Sequence, residues 1–82
     1  MGKFFIWKVH AEFVVQGIEV KSIAVGPSEN IYTALGDAKR CLARNIPNLD
    51  TRSVFIDFAE ADGPADGNEI TKGWKLAKID EV

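Results

Sequence analysis

The chain has 82 residues, of which 46% are hydrophobic and 27% are charged, a balance typical of one globular domain with a single core. We therefore expect a single domain spanning residues 1–82. The formal net charge of -2 and the pI near 5.3 disfavour a dedicated nucleic-acid-binding protein, which usually carries a basic excess. The lone cysteine, Cys41, cannot form an internal disulfide, and no apolar run approaches the roughly 20 residues of a membrane helix. These features predict a soluble, cytoplasmic protein with no membrane partner.

The first predicted element is a β-hairpin over residues 3–25. Gln16-Gly17 suits a two-residue turn, since Gly17 readily adopts the positive φ that such turns need. With this turn the numbers of opposing residues sum to 33, and Glu12 falls opposite Lys21 as a favourable charge pair. The other predicted pairs are Val15–Ile18, Phe13–Val20, Ala11–Ser22, Val9–Ala24 and Trp7–Gly26. A shift by one residue would turn every side chain to the opposite face, so the clustering of large apolar residues specifies the register.

A helix is predicted between the hairpin and Pro47. Ser28 is the expected N-cap, with Glu29 in the first turn. Pro47 ends the helix because it disfavours helical geometry at Ile46. Apolar side chains recur at helical spacing and form one stripe: Ile31, Ala34, Leu35, Ala38, Cys41, Leu42 and Ile46. Within that stripe, Cys41 is predicted to be a small core residue rather than a nucleophile.

Two further strands are predicted in the C-terminal half. The third strand covers residues 52–59 and alternates between two faces. Its inward residues are Val54, Ile56 and Phe58, and its outward residues are Phe55 and Asp57. Residues 60–69 are predicted to form a hairpin loop, because they contain two Asp-Gly steps and a proline. The fourth strand covers residues 70–79, with Trp74 and Leu76 as its apolar anchors.

The element order β-β-α-β-β predicts an α+β fold. We expect a single four-stranded antiparallel sheet of order 2-1-3-4, with the first strand central and the helix packed on one face. The covered residues are Phe5, Trp7, Val9, Phe13, Val15, Val20, Val54, Ile56 and Phe58.

No arrangement of residues indicates an enzyme. His10, the only histidine, falls opposite Ile23 on the face away from the helix, and its one acidic neighbour along the strand is Glu12. It is therefore predicted to be an ordinary surface histidine. The sequence contains no Gly-rich phosphate loop, no paired catalytic carboxylates and no Cys/His metal spacing. We predict no catalytic residue, no metal and no cofactor.

The predicted loop carries five acidic residues with no base between them: Asp57, Glu60, Asp62, Asp66 and Glu69. An EF-hand calcium site is disfavoured because strands flank the loop and Pro64 interrupts it. A solvated loop is the simplest interpretation. The functional interpretation is an acidic field that steers a basic partner towards the surface.

The face of the sheet turned away from the helix carries a predicted protein-interaction surface. Its apolar residues are Phe4, Ile6, Ile23, Val25 and Phe55. A contiguous apolar group of this size indicates a covered or interacting surface. The C-terminal segment, a second copy of the chain or another protein are the three candidates for what covers it.

These features favour a non-catalytic protein-binding module. Two alternatives remain open. One is a nucleic-acid-associated accessory protein that uses Lys39, Arg40 and Arg44 on the helix, although these cations also suit a solvated face near the helix C-terminus. The other is a small homo-oligomeric structural or assembly protein.

Several residues also resemble a pattern found in very small proteins of phages and other mobile elements. The helix carries Asp37-Ala38-Lys39-Arg40 and ends at Ala43-Arg44-Asn45, and an apolar strand, an Asp62-Gly63 turn and a last strand with Gly73-Trp74 follow. Over residues 34–79 this layout is similar to that of anti-CRISPR proteins of the β-β-α-β-β type. The resemblance implies a non-enzymatic inhibitor that binds a host protein complex by its surface, and it assigns no role to a particular residue.

Overall fold

The β-hairpin forms the centre of the fold in the computed structural model, which describes residues 3–82. Strands β1 (Phe5–Val15) and β2 (Ile18–Ser28) pair in antiparallel fashion. Gln16 and Gly17 between them have φ values of 51° and 78°, as a two-residue turn of this kind requires. The paired residues follow the predicted register along the whole length of the hairpin, so that prediction is confirmed.

Helix α1 (Ile31–Asn45) begins later than predicted. Asn30 is its N-cap, and the side-chain oxygen of Asn30 accepts hydrogen bonds from the backbone N–H and the hydroxyl of Thr33, at 3.0 and 2.8 Å. The prediction of Ser28 as N-cap is wrong, because Ser28 is the last residue of β2. Glu29 consequently lies before the helix and not in its first turn.

Helix α1 packs on the inner face of the sheet, which includes Val9, Ala11 and Phe13. Two buried clusters form there. One consists of Val9, Ala24, Ala38 and Cys41, and the other of Ala11, Phe13, Val20, Leu42, Ile46 and Val54. The small side chains of the first cluster allow the helix to approach the sheet closely. Cys41 is a buried core residue, as predicted, and burial raises the pKa of its thiol.

The four strands form one antiparallel sheet of order β3-β1-β2-β4, with β3 at Phe55–Pro64 and β4 at Lys75–Glu81. The predicted α+β class, the single antiparallel sheet and the position of β1 between β2 and β3 are confirmed. The predicted order 2-1-3-4 differs in one strand, since β4 pairs with β2 and not with β3.

The position of β4 follows from the segment between β3 and β4. Residues 60–69 do not form a hairpin loop, because β3 continues to Pro64. Asp66 and Glu69 then form a capping box that starts a short helix, α2 (Gly67–Lys72). This helix contacts β2 and carries the chain to the β2 edge of the sheet, where β4 begins.

Trp74 anchors the start of β4 on the inner side of β2. Its ring lies so close to Gly26 that a Cβ at that position would overlap the indole. The indole N–H donates to the Pro27 carbonyl at 3.0 Å. Trp7 makes a similar hydrogen bond to the next carbonyl, that of Ser28, at 3.1 Å. Glycine at position 26 therefore permits the contact that places β4.

A β-bulge in β3 moves Phe58 away from the helix. Pairing between β1 and β3 shifts beside the pair His10–Phe58 and leaves Asp57 without an opposite residue. Ala59, opposite Val9, takes the next inward position. Phe58 therefore lies on the other side of the sheet, and its predicted place under the helix is wrong.

The confirmed register yields a stability prediction for the hairpin. Phe13→Ala and Val9→Ala should each lower the free energy of unfolding by about 2–4 kcal/mol, because both side chains are almost fully buried. Glu12→Ala should change it much less, since Glu12 lies on the opposite face. Urea denaturation of the three variants measures the difference, and equal losses for Glu12 and Phe13 would contradict the register.

The close approach of Trp74 yields a second prediction. Gly26→Ala should lower the free energy of unfolding by about 1–3 kcal/mol, because the added methyl group must displace the indole. Gly67→Ala is a matched control, since its Cβ would enter open space at the first position of α2. Chemical denaturation followed by tryptophan fluorescence compares the two, and equal stabilities would show that the ring moves at no cost.

Candidate protein-interaction surface

The outer face of the sheet, turned away from α1, presents its side chains in rows that run across β3, β1, β2 and β4. The central row is Phe58–His10–Ile23–Lys78. The turn-side row, nearer the hairpin turn, is Phe55–Glu12–Lys21–Asp80. The α2-side row is Glu60–Lys8–Val25–Lys75. Aromatic and aliphatic groups are therefore mixed with charged groups on this face.

An aromatic stack occupies the central row. The rings of His10 and Phe58 lie parallel, with centroids 4.0 Å apart and an interplanar angle of 16°. Phe58 is 50% exposed, whereas His10 and Ile23 are half-buried. These three residues line a shallow groove of about 240 Å³ whose polar walls come from Lys21, Asp57, Lys78 and Asp80. His10 lies opposite Ile23 on this face, as predicted.

The predicted interaction surface is only partly contiguous. Ile23 lines the central groove. Ile6 and Val25 line a second cavity together with Glu69, Lys72 and Gly73, so the α2 segment lies against that end of the face. The α2 segment thus borders one end of the predicted surface.

The two predicted phenylalanines lie elsewhere. Phe55 is opposite Glu12 in the turn-side row and is 65% exposed. Phe4 precedes β1 and lines a shallow cavity with Asn30 and Thr33 near the start of α1. Phe55 therefore remains part of the outer face, whereas Phe4 lies apart from Ile23 and Val25.

Sequence reasoning missed Phe58 and the exposed apolar residues near the hairpin turn. Val14 and Val82 are 55% and 71% exposed and line a cavity with Phe55. A signal for the bulge was present in the sequence. Charged residues fall at odd position 57 but at even positions 60 and 62, which requires a change of phase if all of them face water.

The five predicted acidic residues are divided between two elements. Asp57, Glu60 and Asp62 lie on β3, and the Lys8 ammonium is 3.6 Å from an Asp62 carboxylate oxygen. Asp66 and Glu69 hold the capping box of α2 instead, with hydrogen bonds of 2.9 and 3.0 Å. Three of the five acidic residues therefore belong to the sheet, and the two capping carboxylates lie beyond its end.

Two carboxyl groups meet beside the groove. The protonated Glu12 carboxyl donates a hydrogen bond to the Asp57 carboxylate, which raises the pKa of Glu12, and desolvation and the negative charge of Asp57 act in the same direction. Lys21, opposite Glu12, lowers that pKa and only partly compensates. This place on the outer face therefore has an excess of negative charge.

The basic residues of the helix lie elsewhere. Lys39, Arg40 and Arg44 belong to α1, which packs on the inner face. The Arg40 guanidinium forms an ion pair with the carboxylate of Asp37, one turn earlier on the exposed side of the helix. These three cations are separate from the outer-face groove.

A membrane-spanning helix and a metal centre have no counterpart among residues 3–82. No helix in this range is both long and apolar enough to span a membrane. The same residues contain no group of three or more His, Cys, Asp or Glu side chains placed to hold a metal ion. Comparisons with protein-family models, with curated proteins and with solved structures find no match to the chain.

The pair of carboxyl groups predicts a pH dependence of stability. Because folding raises the pKa of Glu12 above its ordinary value of 4.5, the protonated form favours the folded state. This contribution should be complete below pH 4.5 and disappear as the pH rises through the raised pKa. Asp57→Asn should reduce that loss, whereas Asp62→Asn, on the same strand, should not. Thermal melts of the three proteins between about pH 4 and pH 7 test this, and parallel curves would contradict it.

Proposed function

We propose that the chain is a non-catalytic protein-binding domain and that the outer face of the sheet is its binding surface. The observation that carries the proposal is the half-exposed Phe58 ring stacked on His10 at the centre of this face. Exposed aromatic side chains surrounded by charged groups are characteristic of protein interfaces, where a central aromatic residue contributes much of the binding energy.

The surroundings of this ring support binding rather than catalysis. The groove is shallow and open, and its walls combine two lysines with two aspartates: Lys21, Lys78, Asp57 and Asp80. Cys41, a potential nucleophile, is buried among the side chains of the inner face, whereas His10 lies on the outer face. The sheet separates these two groups, so a Cys–His pair cannot form here.

The nature of the partner is a separate question. The resemblance to anti-CRISPR proteins suggests a surface of a host protein complex, and the proposed mode of action is then inhibition by occupying that surface. The charge pattern of the outer face itself points to a different kind of partner.

Phe58→Ala should abolish or strongly weaken partner binding. Loss of a central aromatic residue typically costs about 2 kcal/mol or more, which corresponds to roughly a thirtyfold increase in Kd. Tyr32→Ala is the matched control, because Tyr32 is 83% exposed but lies on α1. Wild-type and variant proteins would be compared by affinity capture from the source cells and by analytical ultracentrifugation, after thermal melts have shown that each is folded.

The contrast between the two variants decides the outcome. The proposal predicts that wild type and Tyr32→Ala bind the same protein, be it a host protein or another copy of the chain, and that Phe58→Ala does not. Equal binding by all three proteins would exclude the outer face as the binding surface.

A further inference from the structure

We infer that the partner that best fits the outer face is a second copy of this chain, paired face to face about a twofold axis that crosses the strands. The inference rests on the proposed function, in that it names the partner of the same surface. It is carried by the charges of β1 and β4, where a base on one side of the central row is matched by an acid on the other side.

Charges of opposite sign lie on either side of the central row. On β1, Lys8 lies on the α2 side and Glu12 on the turn side. On β4, Lys75 lies on the α2 side and Asp80 on the turn side. Both strands therefore carry a base towards one end of the face and an acid towards the other.

The proposed twofold axis lies over the central row, parallel to the interface and perpendicular to the strands. Rotation by 180° about this axis brings the basic residues of one copy to face the acidic residues of the other. Lys8 of each copy then faces Glu12 of the other copy, and Lys75 faces Asp80 in the same way. The apolar part of the central row meets its own counterpart, and at the outer end of that row Lys78 meets Lys78 of the other copy, each beside the carboxylate of its own Asp80 at 3.5 Å. A contact in which each surface patch pairs with itself through a twofold axis is the usual geometry of homodimers. The formal net charge of -2 adds little long-range repulsion between copies.

The axis across the strands differs from one parallel to the strands in where it places the α2 segments. An axis along the strands would bring the two α2 segments to the same end of the interface. The axis across the strands instead places the α2 end of each copy near the hairpin-turn end of the other. Exposed apolar groups lie at both of these ends, Ile70 at one and Val14, Phe55 and Val82 at the other.

The Glu12 region gains most from this pairing. Asp57 crowds Glu12 within one copy, and Lys21 compensates only in part. Lys8 of the second copy brings a positive charge to this place. Lys8 is available for such a contact, because its side chain is 40% exposed and its ion pair with Asp62, at 3.6 Å, is loose.

The area of the face indicates a weak dimer. Four strands spaced about 4.8 Å apart, over about eight residues of about 3.3 Å each, give roughly 500 Å² per copy. Two such faces bury about 1,000 Å² in total, the lower limit for a specific interface. We therefore expect a dissociation constant in the micromolar range.

Charge exchange between two variants tests the pairing. Lys8→Glu makes both ends of β1 acidic, and Glu12→Lys makes both ends basic. Each variant alone should self-associate at least about tenfold more weakly than wild type, because like charges then face each other twice in the dimer. An equimolar mixture should form a heterodimer with near wild-type affinity, since every reversed charge meets its opposite. Analytical ultracentrifugation measures affinity from about 1 µM to about 500 µM, and native mass spectrometry identifies the heterodimer by mass.

A second pair of variants keeps the test possible if substitutions on β1 prevent folding. Lys75→Glu and Asp80→Lys should behave in the same manner on β4, and thermal melts identify which variants are folded. Lys39→Glu, on α1, is the control and should dimerise like wild type. Restored dimerisation in a mixture of complementary variants supports the inference. Only a contact between the two substituted positions of each pair predicts this result.

Three results separate the failure of this inference from the failure of the proposed function. A wild-type protein that stays monomeric to about 500 µM overturns the second-copy inference. If Phe58→Ala nevertheless loses a captured protein, the proposed function still holds. Dimers that persist unchanged in Lys8→Glu, Glu12→Lys and Phe58→Ala would place self-association on another surface and overturn the inference.

Discussion

The register between β1 and β2 determines where every other element can pack. The positive φ angles of Gln16 and Gly17 close the hairpin, and they bring the small residues of both strands to the inner face. Among these, Ser22 is buried and satisfies its hydroxyl by donating to the Ala11 carbonyl at 3.3 Å. Ala24, next along the face, gives α1 room to approach, and the absence of a side chain at Gly26 gives room to Trp74. A slip by one residue would remove both docking places at once.

Much of the fold could be predicted from the sequence because its signals were local or strictly periodic. The Gln16-Gly17 turn and the alternation of apolar residues determined the hairpin, and the helical spacing from Ala34 to Leu42 determined the buried side of α1. Pro47 correctly marked the end of the helix, since the preceding residue, Ile46, adopts extended geometry.

The position of β4 was predicted wrongly because it depends on contacts between residues that are distant in the chain. The position of β4 is set by Trp74, whose hydrogen bond to Pro27 spans 47 residues. The loop prediction failed for a different reason. Asp66 and Glu69 have the spacing of a capping box, but the nearby glycines and proline outweighed that signal.

The face that carries the candidate site could be predicted from the sequence, but the aromatic stack at its centre could not. The sequence located the outer face and placed Ile23 and Phe55 on it, because period-two alternation assigns residues to faces. The stack of Phe58 on His10 was missed, because a bulge changes the phase of β3 and alternation alone assumes a constant phase. Alternation could not place Phe4, since this residue precedes the strand and lines a cavity with residues at the start of α1.

The edges of the sheet determine what kind of assembly this molecule tolerates. The edge strand β3 has two register shifts against β1 and ends at Pro64, which lacks an N–H group. The other outer strand, β4, carries Lys75 and Lys78 and one register shift of its own. Irregular and charged edges of this kind resist the lateral addition of strands that leads to fibrils. The partly apolar outer face can therefore stay open to contact without exposing the chain to amyloid-like growth. Pairing of two faces buries both of them and leaves no surface to which a third copy could add.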